Sequence, residues 1–343
     1  MLNDLKEYYG QIIKSVDDLK TSTCSCDANS LPAEIKEILT EIDDEIIEKF
    51  YGCGSPIPPV LNGKTVLDLG CGSGRDVYIF SKIVGEAGNV IGVDMTKEQL
   101  DVANKYVKPQ MEKFGYKRTN VEFKLGYIED LKAIWIADNS IDVITSNCVI
   151  NLSPDKKSVF KEIFRVLKPG GELYFSDIFS GRRVPDALKS DPVLRGECLS
   201  GAMYVEDFRR LMTEVGFADY RLTESVRSPI NNPEIEAKIG MVDYYSMTVR
   251  AFKLDLEDIC EDYGQVATYK GTISGHPHFF DLDDHHRFFT GKPMLVCGNT
   301  AAMVGDTRFG EHFKVSGDKS VHFGAFGAVP TEETPNDGGG CGC

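Results

Sequence analysis

Apolar residues recur every three to four positions in two segments near the start of the chain, residues 4–19 and 32–50. This spacing predicts two amphipathic helices. A polar loop between them carries Cys24 and Cys26. We therefore expect residues 1–50 to form a helical arm that precedes the main domain.

Short apolar runs alternate with helical patterns in the next part of the chain. The pattern predicts strands at residues 65–69, 89–94, 121–125, 141–145 and 172–176, separated by helices that include residues 76–84, 96–114 and 153–168. Residues 96–99 have the composition of a capping box at the start of a helix. Strands that alternate with helices are typical of an α/β fold, with a mostly parallel sheet and helices on both faces.

The alternation is interrupted at residues 182–203, which we expect to form an insert over the strand tips. A helix at about 205–215 and two strand-like runs follow. We divide the rest of the chain into a core at 51–181, the insert with the remaining strands at 182–254, and a small C-terminal α+β domain at 255–343. The Gly- and Cys-containing end of that domain is predicted to be disordered.

The chain is acidic, with a net charge of −15 and a pI near 4.9. Nucleic acids and anionic membranes are held largely through Lys and Arg, so neither is the expected partner. The first residues do not resemble a signal peptide, and the apolar runs are too short to span a bilayer. Ten cysteines in 343 residues are not the density of a disulfide scaffold. We expect a cytoplasmic protein, and a monomer.

A glycine loop follows the first predicted strand, in the sequence Asp68-Leu-Gly70-Cys-Gly72-Ser-Gly74-Arg75. At the carboxyl end of a parallel strand, such glycines let the backbone approach a ligand closely. Asp94 ends the next strand, where an acid can accept hydrogen bonds from ribose hydroxyls. The third glycine comes one residue earlier than in dinucleotide loops, which favours a nucleoside without phosphates.

Cys53, Cys148 and Cys198 flank this loop at positions that packing explains poorly. Three thiolates that meet beside a cofactor would suit a soft, thiophilic ion. All six histidines lie at or after position 276. The N-terminal half therefore has no histidine to act as a general base, the residue most often used for that role.

The glycine loop and the following acid resemble those of class I S-adenosylmethionine-dependent methyltransferases, and the resemblance covers residues 65–178. It implies that Asp68 and the three glycines line the amino-acid half of the cofactor, that Asp94 binds the ribose and that Met95 flanks the adenine. Tyr51 is a candidate to face the sulfonium cation. The predicted cofactor-binding residues are Tyr51, Asp68, Gly70, Gly72, Gly74, Arg75, Asp94, Met95, Ile128, Glu129, Asn147 and Val149.

The segments around the three cysteines resemble arsenite methyltransferases: Tyr51-Gly-Cys-Gly54, Ser146-Asn-Cys-Val-Ile-Asn-Leu152 and Gly196-Glu-Cys-Leu-Ser-Gly-Ala202. By this resemblance Cys148 and Cys198 are the core As(III)-binding pair and Cys53 is the third thiol. One of Cys24 and Cys26 would be the redox partner, and the sequence leaves open which.

The implied reaction needs no protein base, because the lone pair of As(III) is itself the nucleophile. We expect Cys53 to restore trivalent arsenic by forming a disulfide with Cys24 or Cys26, which an external thiol of the thioredoxin or glutathione type then reduces. A second methylation would need only the Cys148–Cys198 pair. Glu197 would orient the insert or polarise an arsenic-bound ligand.

Two other functions are compatible with parts of the sequence. A methyltransferase of a quinone-like small molecule would need an apolar acceptor cavity and would not need the thiols. A non-enzymatic protein that sequesters arsenite or a metal would bind through thiols without consuming cofactor. Cys71, Cys260 and Cys297 are interpreted as structural cysteines. The number of methyl groups and the role of the C-terminal domain are not predicted.

Overall fold

The computed structural model describes residues 31–49, 56–189, 191, 194–195 and 198–327. Its main feature is an eight-stranded sheet made of β1 (Thr65–Leu69), β2 (Asn89–Asp94), β3 (Val121–Leu125), β4 (Ile141–Asn147), β5 (Leu167–Ser180), β6 (Met203–Tyr204), β7 (Tyr220–Arg227) and β8 (Tyr244–Phe252). The strand order is β3-β2-β1-β4-β5-β8-β7, and β6 pairs with the end of β5. Only β8 runs antiparallel to its neighbours, β5 and β7. The predicted α/β fold with a mostly parallel sheet is confirmed.

The helices of this part of the chain are α1 (Ala33–Glu41), α2 (Asp44–Glu48), α3 (Arg75–Val84), α4 (Lys97–Lys105), α5 (Val107–Phe114), α6 (Lys156–Val166), α7 (Asp186–Lys189), α8 (Val205–Val215) and α9 (Pro233–Ile239). Buried apolar side chains form one cluster around β4, β5, α6 and α8 and another around β1, β2 and α3. The two clusters fix the central strands, whose carboxyl ends carry the predicted site.

Three local predictions differ from the structure. The helix predicted at 32–50 is divided, because Asp43 caps a new helix and accepts the amide hydrogen of Glu45. The helix predicted at 96–114 is also divided, since Pro109 has no N–H to continue the hydrogen-bond ladder from α4. Thr96 precedes α4 as expected but makes no side-chain capping bond.

The C-terminal part of the chain packs against the sheet as a smaller α+β unit. Its elements are β9 (Glu261–Asp262), β10 (Gln265–Tyr269), β11 (Phe279–Asp281), β12 (Arg287–Phe289), β13 (Pro293–Val296), α10 (Gly298–Gly305), β14 (Phe313–Ser316) and β15 (Gly324–Ala325). Strands β13, β10 and β14 form a three-stranded antiparallel sheet, while β11–β12 and β9–β15 form two-stranded sheets. The end of this unit that was predicted to be disordered lies outside the described residues.

A buried ion network joins this unit to the large sheet. Glu172 of β5 is fully buried and pairs with Arg250 of β8, at 2.5 Å, and with Arg308 from the C-terminal unit. Arg250 also donates to the backbone carbonyl of Leu282. Each buried charge in this network therefore has a charged partner.

Candidate functional site

A cavity opens at the carboxyl ends of β1 to β4, where the topology brings the predicted site residues together. Nine of the predicted cofactor residues line it, together with the two predicted arsenic-binding cysteines that the structure describes: Asp68, Gly70, Gly72, Asp94, Met95, Ile128, Glu129, Asn147, Val149, Cys148 and Cys198. The two other described candidates, Gly74 and Arg75, do not line this cavity. Gly74 is the N-cap of α3, and Arg75 turns to Asp76, with its Nη2 2.8 Å from the carboxylate.

Three carboxylates cluster beneath the glycine loop. Asp68 is buried, and burial together with the charges of Asp76 and Asp94 raises its pKa well above the ordinary range. Thr145 Oγ1 donates to Asp68 at 3.3 Å. Burial also raises the pKa of Asp94, although it accepts the amide hydrogens of Gly72 at 2.9 Å and Thr96 at 2.7 Å. The cluster thus favours a cationic ligand.

The glycine loop and the loop after β4 are in direct contact. Gly70 has a φ of +75°, and a Cβ there would lie 2.3 Å from Cγ2 of Val149. Only a glycine therefore allows the Val149 side chain to lie over the loop. Because Val149 follows Cys148, the same contact positions a predicted cofactor-binding segment and a predicted arsenic-binding thiol.

Cys148 and Cys198 approach each other although they are fifty positions apart in the chain. Both are buried, and Cys198 Sγ lies 3.6 Å from the backbone oxygen of Cys148. Both have left-handed backbones, with φ of +57° and +60°, a conformation that costs a non-glycine residue about 1–2 kcal/mol. Cys148 is disulfide-bonded.

Buried polar contacts hold the two cysteine loops in place. Asp177 of β5 accepts hydrogen bonds from the amide of Asn151, at 3.0 Å, and from its side chain, at 2.7 Å. Burial raises the pKa of Asp177 to about 7. A Cβ on Gly201 would lie 2.1 Å from the Asn151 carbonyl oxygen, so the insert that carries Cys198 packs directly on the loop after Cys148.

Lys156 brings a cation to this side of the cavity. Its ammonium group donates to the carbonyl oxygens of Asn151 and Ser153, both at 3.1 Å. Burial lowers the pKa of Lys156, and the charges of Asp177 and Cys198 oppose that shift. The same attraction favours the thiolate form of Cys198.

Five predicted site residues, namely Cys24, Cys26, Tyr51, Cys53 and Glu197, lie outside the described residues. Sequence reasoning missed Lys156, Asp177 and Gly201. Asp177 directly follows a predicted strand, and this position at the carboxyl end of the sheet could have marked it as a site residue. Lys156 and Gly201 act through contacts that no local pattern predicts. Among the described residues, no helix has the length and apolar character needed to cross a membrane.

Two family models match the chain, a methyltransferase domain at residues 61–216 and the arsenite methyltransferase C-terminal domain at 263–334. The chain is 52% identical to an arsenite methyltransferase of Aquipseudomonas alcaligenes, over 95% of this chain and 94% of that protein. It is 40% identical to the arsenite methyltransferase of Homo sapiens, over 97% of this chain and 89% of that protein.

A solved structure agrees with these relatives. The crystal structure of CrArsM, an arsenic (III) S-adenosylmethionine methyltransferase from Chlamydomonas reinhardtii, matches with a TM-score of 0.84 and 51% identity. The match covers 87% of this chain and all of that chain. The fold, both domains and nearly the full length are therefore shared, and the chain belongs to the arsenite methyltransferase family of S-adenosylmethionine-dependent enzymes.

Proposed function

We propose that this protein methylates arsenite, and then methylarsenite, while the arsenic is held by cysteine thiolates. The observation that carries this proposal is the approach of Cys148 and Cys198 at the mouth of the acidic cofactor cavity. The two cysteines have strained left-handed backbones, and their loops pack on each other. Once both are thiols, they form a site for a soft three-coordinate ion beside the cavity.

The residues of the cavity fit S-adenosylmethionine. Asp68, Asp76 and Asp94 form an acidic cluster in which Arg75 pairs with Asp76, and the ammonium and sulfonium groups of the cofactor would favour the charged forms of Asp68 and Asp94. Gly70 leaves the space through which the backbone can approach a ligand. When bound, this cofactor would supply an electrophilic methyl group to the arsenic, whose lone pair is the nucleophile.

The task of the chain is then to position the substrate and to exclude water. Cys148 and Cys198 hold arsenic, and the Cys53 thiol is the proposed third ligand. Lys156 favours the thiolate of Cys198 through its charge. Glu197 is proposed to orient the insert or to polarise a ligand on arsenic. Loss of one thiolate ligand to a methyl group leaves the Cys148–Cys198 pair for a second methylation.

Methyl transfer formally oxidises arsenic by two electrons, which must be returned. We propose that the thiol of Cys53 and the thiol of Cys24 or Cys26 supply both electrons and become a disulfide. An external dithiol or two monothiols, of the thioredoxin or glutathione type, then reduce that disulfide and are oxidised in turn. The disulfide at Cys148 supports thiol–disulfide exchange at this cleft, and it must be reduced before Cys148 can bind arsenic.

Arsenic speciation tests the acceptor. The reduced protein is incubated with arsenite, S-adenosylmethionine and a thiol, beside Cys148→Ser, Cys198→Ser and Cys260→Ser variants. Cys260 is a free cysteine that does not line the cavity, so its variant is the matched control. We expect methylated arsenic from the wild type and the control, and a loss of at least about a thousandfold in the other two, with cofactor binding retained.

Two results would contradict the proposal. A protein that binds cofactor but forms no methylarsenic would point to a quinone-like acceptor. Arsenite binding without cofactor consumption would instead indicate sequestration. For the relay, Cys24→Ser and Cys26→Ser are compared in a single turnover without external thiol. The variant that completes the methyl transfer but leaves pentavalent arsenic identifies the redox partner of Cys53.

A further inference from the structure

A second pair of thiols lies at the junction of the C-terminal unit and the large sheet. Cys297 is the N-cap of α10, and Cys260 directly precedes β9. Both are free, and a side-chain hydrogen bond joins them. Cys297 is buried, while Cys260 is half-buried and gives the pair access to solvent.

The surroundings of this pair stabilise a thiolate. Cys297 Sγ accepts the amide hydrogen of Thr300 at 3.4 Å and lies 3.2 Å from the Thr300 hydroxyl. Arg221 of β7 reaches both sulfurs, with its Nη2 3.8 Å from Cys260 Sγ and 3.9 Å from Cys297 Sγ. The hydrogen bond with Cys260 lowers the pKa of Cys297 to about 5, and the Thr300 contacts reinforce that shift. These contacts therefore favour the thiolate form of Cys297.

The guanidinium of Arg221 is itself fixed and balanced. Asp219 pairs with it at 2.7 Å and Asp283 at 3.4 Å. Asp219 is held in turn by the side chain of Asn299, at 3.0 Å. The sulfurs therefore face a rigid cation, which disfavours a divalent metal ion at this position but does not repel a neutral molecule.

We propose that Cys260 and Cys297 form a second dithiol site, which binds trivalent arsenic apart from the catalytic cleft. Arsenous acid is neutral at pH 7, soft and thiophilic, which matches both the sulfurs and the fixed cation. None of the residues around this pair lines the cofactor cavity, and Arg221 lies on the outermost strand of the sheet. The inference goes beyond the proposed function and does not require methyl transfer.

The binding step needs no oxidant. The Cys297 thiolate attacks arsenic in As(OH)₃, and the leaving hydroxide takes the proton of Cys260 and departs as water. The Cys260 thiolate then displaces a second hydroxide, which leaves as water with a proton from solvent. Two As–S bonds replace two As–O bonds, the third hydroxide stays on arsenic, and arsenic remains trivalent throughout.

The test is the arsenic content of the full-length, reduced protein after exposure to arsenite and desalting. Native mass spectrometry compares the wild type with Cys260→Ser, Cys297→Ser and, as the matched control, Cys71→Ser, which removes a buried free thiol elsewhere. We expect each of the first two variants to bind about one arsenic fewer, because a chelate needs both thiols. The control should bind as much as the wild type. Equal stoichiometry in all four proteins overturns the proposal.

A second measurement uses only the wild type, so it does not depend on how well a variant folds. Arsenite should slow alkylation of Cys260 at least about tenfold, as read from peptide masses, and unchanged alkylation overturns the proposal. A pair that is found as a disulfide after reduction and takes no arsenic also overturns it. Methylation by Cys260→Ser is measured separately and should persist, which separates this inference from the proposed function.

Discussion

Buried carboxylates at the junction with the C-terminal unit and in the cofactor cavity have different partners. Glu172 is enclosed between Arg250 and Arg308, so the chain itself compensates the charge of this carboxylate. In the cofactor cavity Asp68 lies near Asp76 and Asp94, and the pKa values of Asp68 and Asp94 are raised. Charge compensated within the chain marks a structural joint, whereas charge left in excess marks a place where a ligand completes the structure.

The largest effect on stability is expected at the buried ion network of Glu172, which joins the C-terminal unit to the large sheet. Arg308→Met leaves Glu172 short of a partner, and breaking such a buried network costs about 3–5 kcal/mol of unfolding free energy. Urea denaturation measures it. Arg287→Met, at an exposed pair with Asp281, is the control and should change stability little. Equal stability of the two variants would show that the joint does not depend on this charge network.

Replacement of a carboxylate in the cofactor cavity should have the opposite effect on stability. Asp68→Asn removes a buried carboxylate from the acidic cluster, so the protein without cofactor should be as stable as the wild type or more stable. Affinity for S-adenosylmethionine should fall about 10–100-fold, because the ligand loses a charged partner. Calorimetric titration and thermal unfolding are measured on the same sample. A variant that loses stability but keeps its affinity would make Asp68 structural, like Glu172.

A smaller effect is expected from pH. The raised pKa values of Asp68 and Asp94 mean that these carboxyl groups keep their protons to a higher pH than ordinary aspartates do, and a cationic ligand favours the release of those protons. Affinity for S-adenosylmethionine should therefore rise, by about tenfold, as the pH increases through the range in which the cluster titrates. In the Asp68→Asn variant the slope should be shallower. A flat wild-type profile would mean that the cofactor does not meet these carboxylates.

The smallest effect is expected at Lys156. The charge of Asp177 offsets only part of the effect of burial on this lysine, so Lys156 is less fully compensated than Glu172. Lys156→Gln removes a cation that favours the Cys198 thiolate, so alkylation of Cys198 should slow by about two- to tenfold. Lys157→Gln, on the exposed side of the same helix, is the control. Equal rates of Cys198 alkylation in the two variants would show that Lys156 does not affect the reactivity of this thiol.

The sequence predicts those parts of the molecule that depend on local patterns. The strand before Gly70, the acid at Asp94 and the mostly parallel sheet all follow from periodicity and glycine spacing. The order of the strands brings Cys148 to the cavity, because β4 pairs with β1. The resemblance to a known family, rather than spacing, predicts Cys198 as its partner.

Other features depend on contacts between distant segments. The break between α1 and α2 depends on one capping side chain, and the Thr96 hydroxyl is hydrogen-bonded to Asp94 instead of capping α4. The sequence alone indicates that Cys260 and Cys297 are separate structural cysteines, because their approach depends on how β9 and α10 pack. Such pairs cannot be found from a single sequence.

The contact between Val149 and Gly70 also makes two distant loops depend on each other. The Val149 side chain fills the space that a Cβ at position 70 would need, so a larger residue in the glycine loop would have to displace that valine. Because Val149 directly follows Cys148, the displacement would also shift the backbone that carries the cysteine. The glycine loop and the Cys148 loop can therefore change only together.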